Sequence, residues 1–173
     1  FFVNVAHLNL KVNSSEKNYC MLVHTSGKRA DHTEDYKQII KIINSLKNHE
    51  DNNFDHCAKE LWEITHERYA GNEDGIVHYV LDNISRSDVV ILNSDRVIED
   101  TTRATLPSAP FTITIGGNIV SRGVTFENLL SMFFTRDAKH KIQQDTYIQR
   151  ARMFGSRNHY LNYYELTIPE RLY

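Results

Sequence analysis

Four side chains in the last third of the chain are of the kind that grips phosphate: Gln149, Arg150, Arg152 and Arg157. A guanidinium is always charged and forks onto two phosphate oxygens at once, which a lysine ammonium does less well. "DTYIQRARMF" (145–154) has helical period, and Gly155 stands where such a helix should stop. On that helix Gln149 and Arg152 lie three residues apart and share a face, Arg150 points elsewhere, and Arg157 follows the turn. Helix ends also carry arginine for solubility or for the helix dipole. The spacing alone leaves both readings open.

A second group lies in "IGGNIVSRGVTF" (115–126), where three of the chain's 7 glycines fall within eight residues around Arg122. Without side chains, Gly116, Gly117 and Gly123 let backbone N–H groups approach a phosphate or ribose closely. The plain alternative is a tight turn after a strand. His24, Thr25 and Ser26 form a third group, closing the apolar run "NYCMLVHTS" (18–26).

These groups need elements to hold them. The apolar runs at 18–26, 88–94 ("DVVILNS"), 111–115 ("FTITI"), 129–135 ("LLSMFFT") and 160–166 ("YLNYYEL") read as strands. Residues 1–13 alternate weakly and suggest an edge strand. Asp31 with Glu34 predicts a capping box for a helix bearing Tyr36, Ile39, Ile40 and Ile43. The stretch 50–86 holds two helical patterns with no strand between them, an insertion beside the sheet. Trp62 in that insertion is expected in the core. Residues 95–110, with Pro107 and Pro110, read as a loop. Strands separated by helices imply an α/β domain with a mainly parallel sheet covered on both faces. Ligands bind such sheets at the carboxyl ends of the strands, where His24–Ser26, the loop from Gly116 to Thr125 and Arg136–Asp137 are expected, with the 145–157 arginines a further set.

Composition sets the bounds. With 173 residues, 40% hydrophobic and 24% charged, one domain with a real core is expected. A net charge of −2 argues against a strongly basic nucleic-acid module and leaves room for a local basic cleft. Cys20 and Cys57 have no CxxC spacing, which points to reduced thiols and a cytoplasmic setting. No apolar run approaches the roughly 20 residues of a membrane helix, so no membrane partner is expected. The chain opens at Phe1 and closes at Tyr173 without boundary signals and reads as a piece of a larger protein.

"SRGVTF" resembles motif V of superfamily 2 helicases, and "QRARMFGSR" resembles motif VI, the glutamine–arginine helix that carries the arginine fingers. Together with "IGGN", "FFTR", "MLVHTS" and "VVILNS", they make most of the chain similar to the Z1 domain family, which carries an endonuclease label. The resemblance implies a RecA-like (P-loop NTPase-like) three-layer domain over 1–173, the second lobe of a helicase-type ATPase, with the insertion at about 50–86. It implies that Arg152 and Arg157 are fingers for the γ-phosphate of ATP and that Gln149 orients the nucleotide or the attacking water. It places Gly116, Gly117, Gly123 and Thr125 near nucleotide, and Thr25, Ser26, Ser121 and Arg122 near a nucleic-acid backbone. ATP and Mg²⁺ would be held mainly by an N-terminal RecA-like domain of the same chain. Nucleic acid, as double-stranded DNA, would be the partner, in a bacterial restriction or DNA-defence setting. The match has departures: Arg152 and Arg157 are five apart where the motif spaces three, and Ala151 replaces its glycine. Arg150 therefore competes for the finger role.

Two other classes stay in view. A metal-dependent nuclease needs clustered carboxylates and commonly a lysine; Glu127 and Asp137-Ala138-Lys139 are the nearest match. A non-catalytic interaction domain would dock through the insertion, with Trp62 and Tyr69 as contacts. No GxxxxGK[ST] loop and no Asp-Glu pair at a strand end occur in the sequence. The 173 residues alone are therefore expected neither to bind ATP tightly nor to hydrolyse it. A coupled phosphate-release assay checks this, and steady turnover by the isolated chain would overturn it.

Overall fold

The structure, a computed structural model, describes residues 1–11, 16–25, 28–92, 98–117, 125–134 and 160–168, with backbone alone for 98–100. At its centre is β3 (Phe111–Gly116), six residues that are all buried. A strand shut off from water must pair its backbone N–H and C=O groups with neighbours. β3 does so between β1 (Tyr19–His24) and β2 (Ser87–Leu92), both parallel to it. β4 (Leu129–Phe134) adds beside β1, and the short β5 (Glu165–Thr167) beside β4. The result is one all-parallel sheet of order β2-β3-β1-β4-β5. The α/β class and the parallel sheet are as the strand and helix patterns predict.

Successive side chains on these strands alternate between two cores. Tyr19, Val23, Ile113 and Ile115 join a cluster with residues of α1 (Phe2–Lys11), α2 (Arg29–Lys47), α3 (Phe54–Tyr69) and α4 (Glu73–Asn83). Cys20, Leu22, Val90 and Leu92 join a second cluster with Phe126 and with Ala104 of α5 (Ile98–Thr105). A register shift after Cys20 lets Leu129 and Met132, three residues apart, serve the same core, with Leu130 in the other. Helices thus cover both faces of the sheet.

Several local expectations are corrected. Residues 2–11 form a helix, not an edge strand. Val3, Val5, Ala6 and Leu8 are buried together on it, and Asn4 is held from outside the helix. Its Nδ2 donates to the Tyr163 carbonyl at 3.0 Å, and its Oδ1 accepts from the Tyr69 hydroxyl at 2.9 Å. Tertiary burial overrides the alternation read from the sequence. The capping box does not form, because α2 starts at Arg29 and Asp31 already lies in its first turn. There a carboxylate still favours the positive end of the helix dipole, while Glu34 accepts from Gln38 at 2.9 Å. The loop expected at 95–110 contains α5. That helix is seated by the Thr114 hydroxyl donating to the Ala104 carbonyl at 3.0 Å, and by Arg103 Nε donating to Asp88 Oδ2 at 2.9 Å. The last strand is shorter than expected, since Leu161–Tyr163 is a 3-10 turn before β5.

The two helices expected at 50–86 are α3 and α4, joined by a turn in which Gly71 takes φ +92, a conformation that costs a residue with a Cβ. Trp62 is not core: it is 44% exposed, its ring stacked on His66 at 5.0 Å. Tyr69 is the inward one, stacked on His7 at 3.9 Å.

Both thiols are free. Burial pushes the Cys20 thiol up to about 12, a shift opposed in part by its hydrogen bond with Thr114. The thiolate is the reactive form, so an aromatic disulfide reagent at pH 8 should modify half-buried Cys57 readily and Cys20 only in denaturant. Rapid reaction of two thiols per folded chain would show that the core around β1 opens freely.

Candidate functional site

The ladders align the strand ends. Leu92 pairs with Gly116, Gly116 with His24, and His24 with Phe134, so four carboxyl termini share one row across the sheet. β1 leaves this row toward α2, which packs in the first cluster through Ile43 and Leu46. The link after β3 reaches Phe126 in the second cluster. Ligands in such sheets sit at the carboxyl ends of the strands, and at that end β1 and β3 lie side by side.

Thr25 and Gly116 meet there. The Thr25 amide donates to the Gly116 carbonyl at 3.0 Å, one step beyond the ladder. Gly117 follows and is buried. The His24 ring packs on Phe134 at 4.9 Å, closing the floor on the β4 side. Thr25 is only 2% exposed, and its hydroxyl has no hydrogen-bond partner among the described residues. A buried hydroxyl left unpaired costs about 1–3 kcal/mol. Such a group at this edge is a place where a ligand oxygen or amide would be favoured. α2 begins four residues later without a side-chain cap on Lys28, and its exposed Lys28 and Arg29 bring positive charge to the same end of β1.

Of the predicted site residues, Thr25, Gly116 and Gly117 are brought together. Thr125 is not joined to them by any described hydrogen bond. It is exposed and precedes Phe126 on a stretch that runs to the amino edge of the sheet. At that edge the Glu127 amide donates to the Thr105 carbonyl at 2.8 Å, and Asn128 Nδ2 donates to the Asn18 carbonyl at 3.0 Å. Asn128 takes φ 49 in this turn, a conformation asparagine tolerates better than most residues. Ser26, Ser121, Arg122, Gly123, Gln149, Arg150, Arg152 and Arg157 lie outside the described residues, as do Asp137 and Lys139. The Asp88–Arg103 pair, which braces α5 against β2, was not singled out in the sequence. Only the fold brings those two positions, fifteen residues apart, into contact.

Among the described residues no group of His, Cys, Asp and Glu is arranged to hold a metal ion, and no helix is long and apolar enough to cross a membrane. The family model for the Z1 domain matches residues 1–173. The chain belongs to the Z1 domain family. No curated protein and no solved structure matches it. In this Z1 domain the candidate site is the point where Thr25 meets Gly116 at the carboxyl ends of β1 and β3.

Thr25→Val tests that geometry, since valine keeps the shape and removes the unpaired hydroxyl. Urea unfolding should show stability unchanged or raised by up to about 1 kcal/mol. A loss above about 1 kcal/mol would show that the hydroxyl is already satisfied inside the protein.

Proposed function

We propose that this Z1 domain is the second, RecA-like motor lobe of a superfamily 2 type, ATP-dependent DNA-acting protein. It supplies the motif V loop and the motif VI arginines to a nucleotide site completed by an N-terminal lobe. The observation that carries the reading is the meeting of buried Thr25 with the Gly116–Gly117 pair at the carboxyl edge of an all-parallel sheet. It is supported by "SRGVTF" shortly after that glycine pair and by "QRARMFGSR" before β5. One loop leaving β3 would touch both nucleotide and strand, coupling ATP state to grip on DNA. Arg152 and Arg157 would stabilise charge on the γ-phosphate, and Gln149 would orient the nucleotide or the attacking water. Thr25, Ser26, Ser121 and Arg122 would meet the DNA backbone. Magnesium is assigned with ATP to the N-terminal lobe, as the helicase resemblance implies. A bacterial restriction or defence setting belongs to the same reading.

The nuclease alternative rests on Glu127, just before the amino end of β4, together with Asp137 and Lys139, which lie outside the described residues.

The test uses the protein carrying both lobes. Arg152→Ala and Arg157→Ala are expected to lower DNA-stimulated ATPase activity, with about 10³-fold or more lost at the true finger, while DNA binding persists. Near-normal turnover in both variants would remove the finger role. Magnesium-dependent cleavage lost on Asp137→Ala and Lys139→Ala would favour the nuclease instead.

A further inference from the structure

Helix α3 is thinly covered. Of its 16 residues only Leu61 and Thr65 are buried, and Ile64 is 41% exposed. Opposite it on α2, Ile42 is 48% exposed. The two isoleucines line a groove of about 380 Å³ between the helices, with buried Leu46 and Leu61 also lining it. Branched apolar side chains on both walls of one groove make a surface that gains from losing water.

The charges that line the groove differ between its walls. α2 carries Asp31, Glu34 and Asp35 in its first half and Lys37, Lys41 and Lys47 beyond them. α3 carries Asp55, Glu60, Glu63 and Glu67 against Lys59 and Arg68, of which Lys59 pairs with Glu63 at 3.5 Å and Arg68 with Glu165. Lys41 and Glu60 line the groove from opposite helices. A partner fitting this face must bring acid to α2, base to α3, and apolar side chains between. A second copy turned about a two-fold axis brings all three, its α3 to this α2 and its α2 to this α3.

We propose that the chain self-associates through the α2–α3 face as a two-fold dimer. Four helices pack around Ile42 and Ile64 of both copies, and Lys41 of each copy faces Glu60 of the other. Helices of 19 and 16 residues side by side present a face of roughly 500 Å² in projection. Standard stable interfaces use about 800 Å² per partner, so this is a dimer of micromolar rather than nanomolar strength.

Sedimentation equilibrium of the 173-residue chain, over micromolar to submillimolar concentration at low salt, should show mass rising toward twice that of the monomer. Ile64→Glu should hold it at monomer mass. Lys41→Glu and Glu60→Lys should each weaken association roughly tenfold, since each sets like charges together at two places in the dimer. An equimolar mixture of those two variants should associate again, because every 41–60 contact between them is of opposite sign. Circular dichroism and melting curves confirm that each variant is folded. A monomer at all concentrations, or a mixture no tighter than its components, overturns the proposal and leaves the groove to another part of the protein or to a different macromolecule.

Discussion

β3 has no residue open to water, and its backbone polar groups can be satisfied only by a strand on each side. That demand organises the rest of the molecule. Parallel neighbours cannot be joined by tight turns, so the chain must leave each strand, cross a face through a helix or long link, and return. The described crossings, through α2–α4 and through α5, deposit apolar side chains on the sheet, which helps keep β3 dry. The same ladders bring Leu92, Gly116, His24 and Phe134 to one row. That row is thus a consequence of how the central strand is kept paired.

Polar groups inside this core behave in two ways. Asn4 and Thr114 are buried and fully engaged, and each ties together segments distant in sequence: Asn4 links α1 to Tyr69 and Tyr163, and Thr114 links β3 to α5. Groups like these reward one arrangement and penalise others, because any slip leaves them unpaired in a low-dielectric interior. Thr25 differs: it is equally buried, at the row of strand ends, and its hydroxyl has no partner among the described residues. Tolerating such a cost beside a glycine pair is what a binding site would require, and it directs attention to that point of the sheet.

The readability of the elements tracks how local their causes are. β1, β2, β3 and β4 were plain because a buried parallel strand must be a short apolar run. The start of α2 was misplaced because the helix begins without a side-chain cap, the feature by which such starts are read. α1 and α5 were missed because their stability comes from elsewhere: α1 from tertiary partners of Asn4 and from burial against the first core, α5 from Thr114 and Asp88. Trp62 was misjudged because helical period says which residues share a face but not which face is inward. In the site, Thr25 and the glycines could be nominated from their place after apolar runs. The separation of Thr125 from them depends on where the link after β3 travels, which period and propensity do not encode.

The sequence by itself determined the α/β class, the parallel sheet and the free thiols, since each follows from residue types or spacing along the chain, and its motifs carry the resemblance to the Z1 family. Only the tertiary structure decided that Thr25 and Gly116 meet, that Thr25's hydroxyl has no partner among the described residues, and that Lys41 of α2 and Glu60 of α3 line one groove. Pairing register and helix orientation are set by contacts between residues tens of positions apart, and no local pattern carries that information.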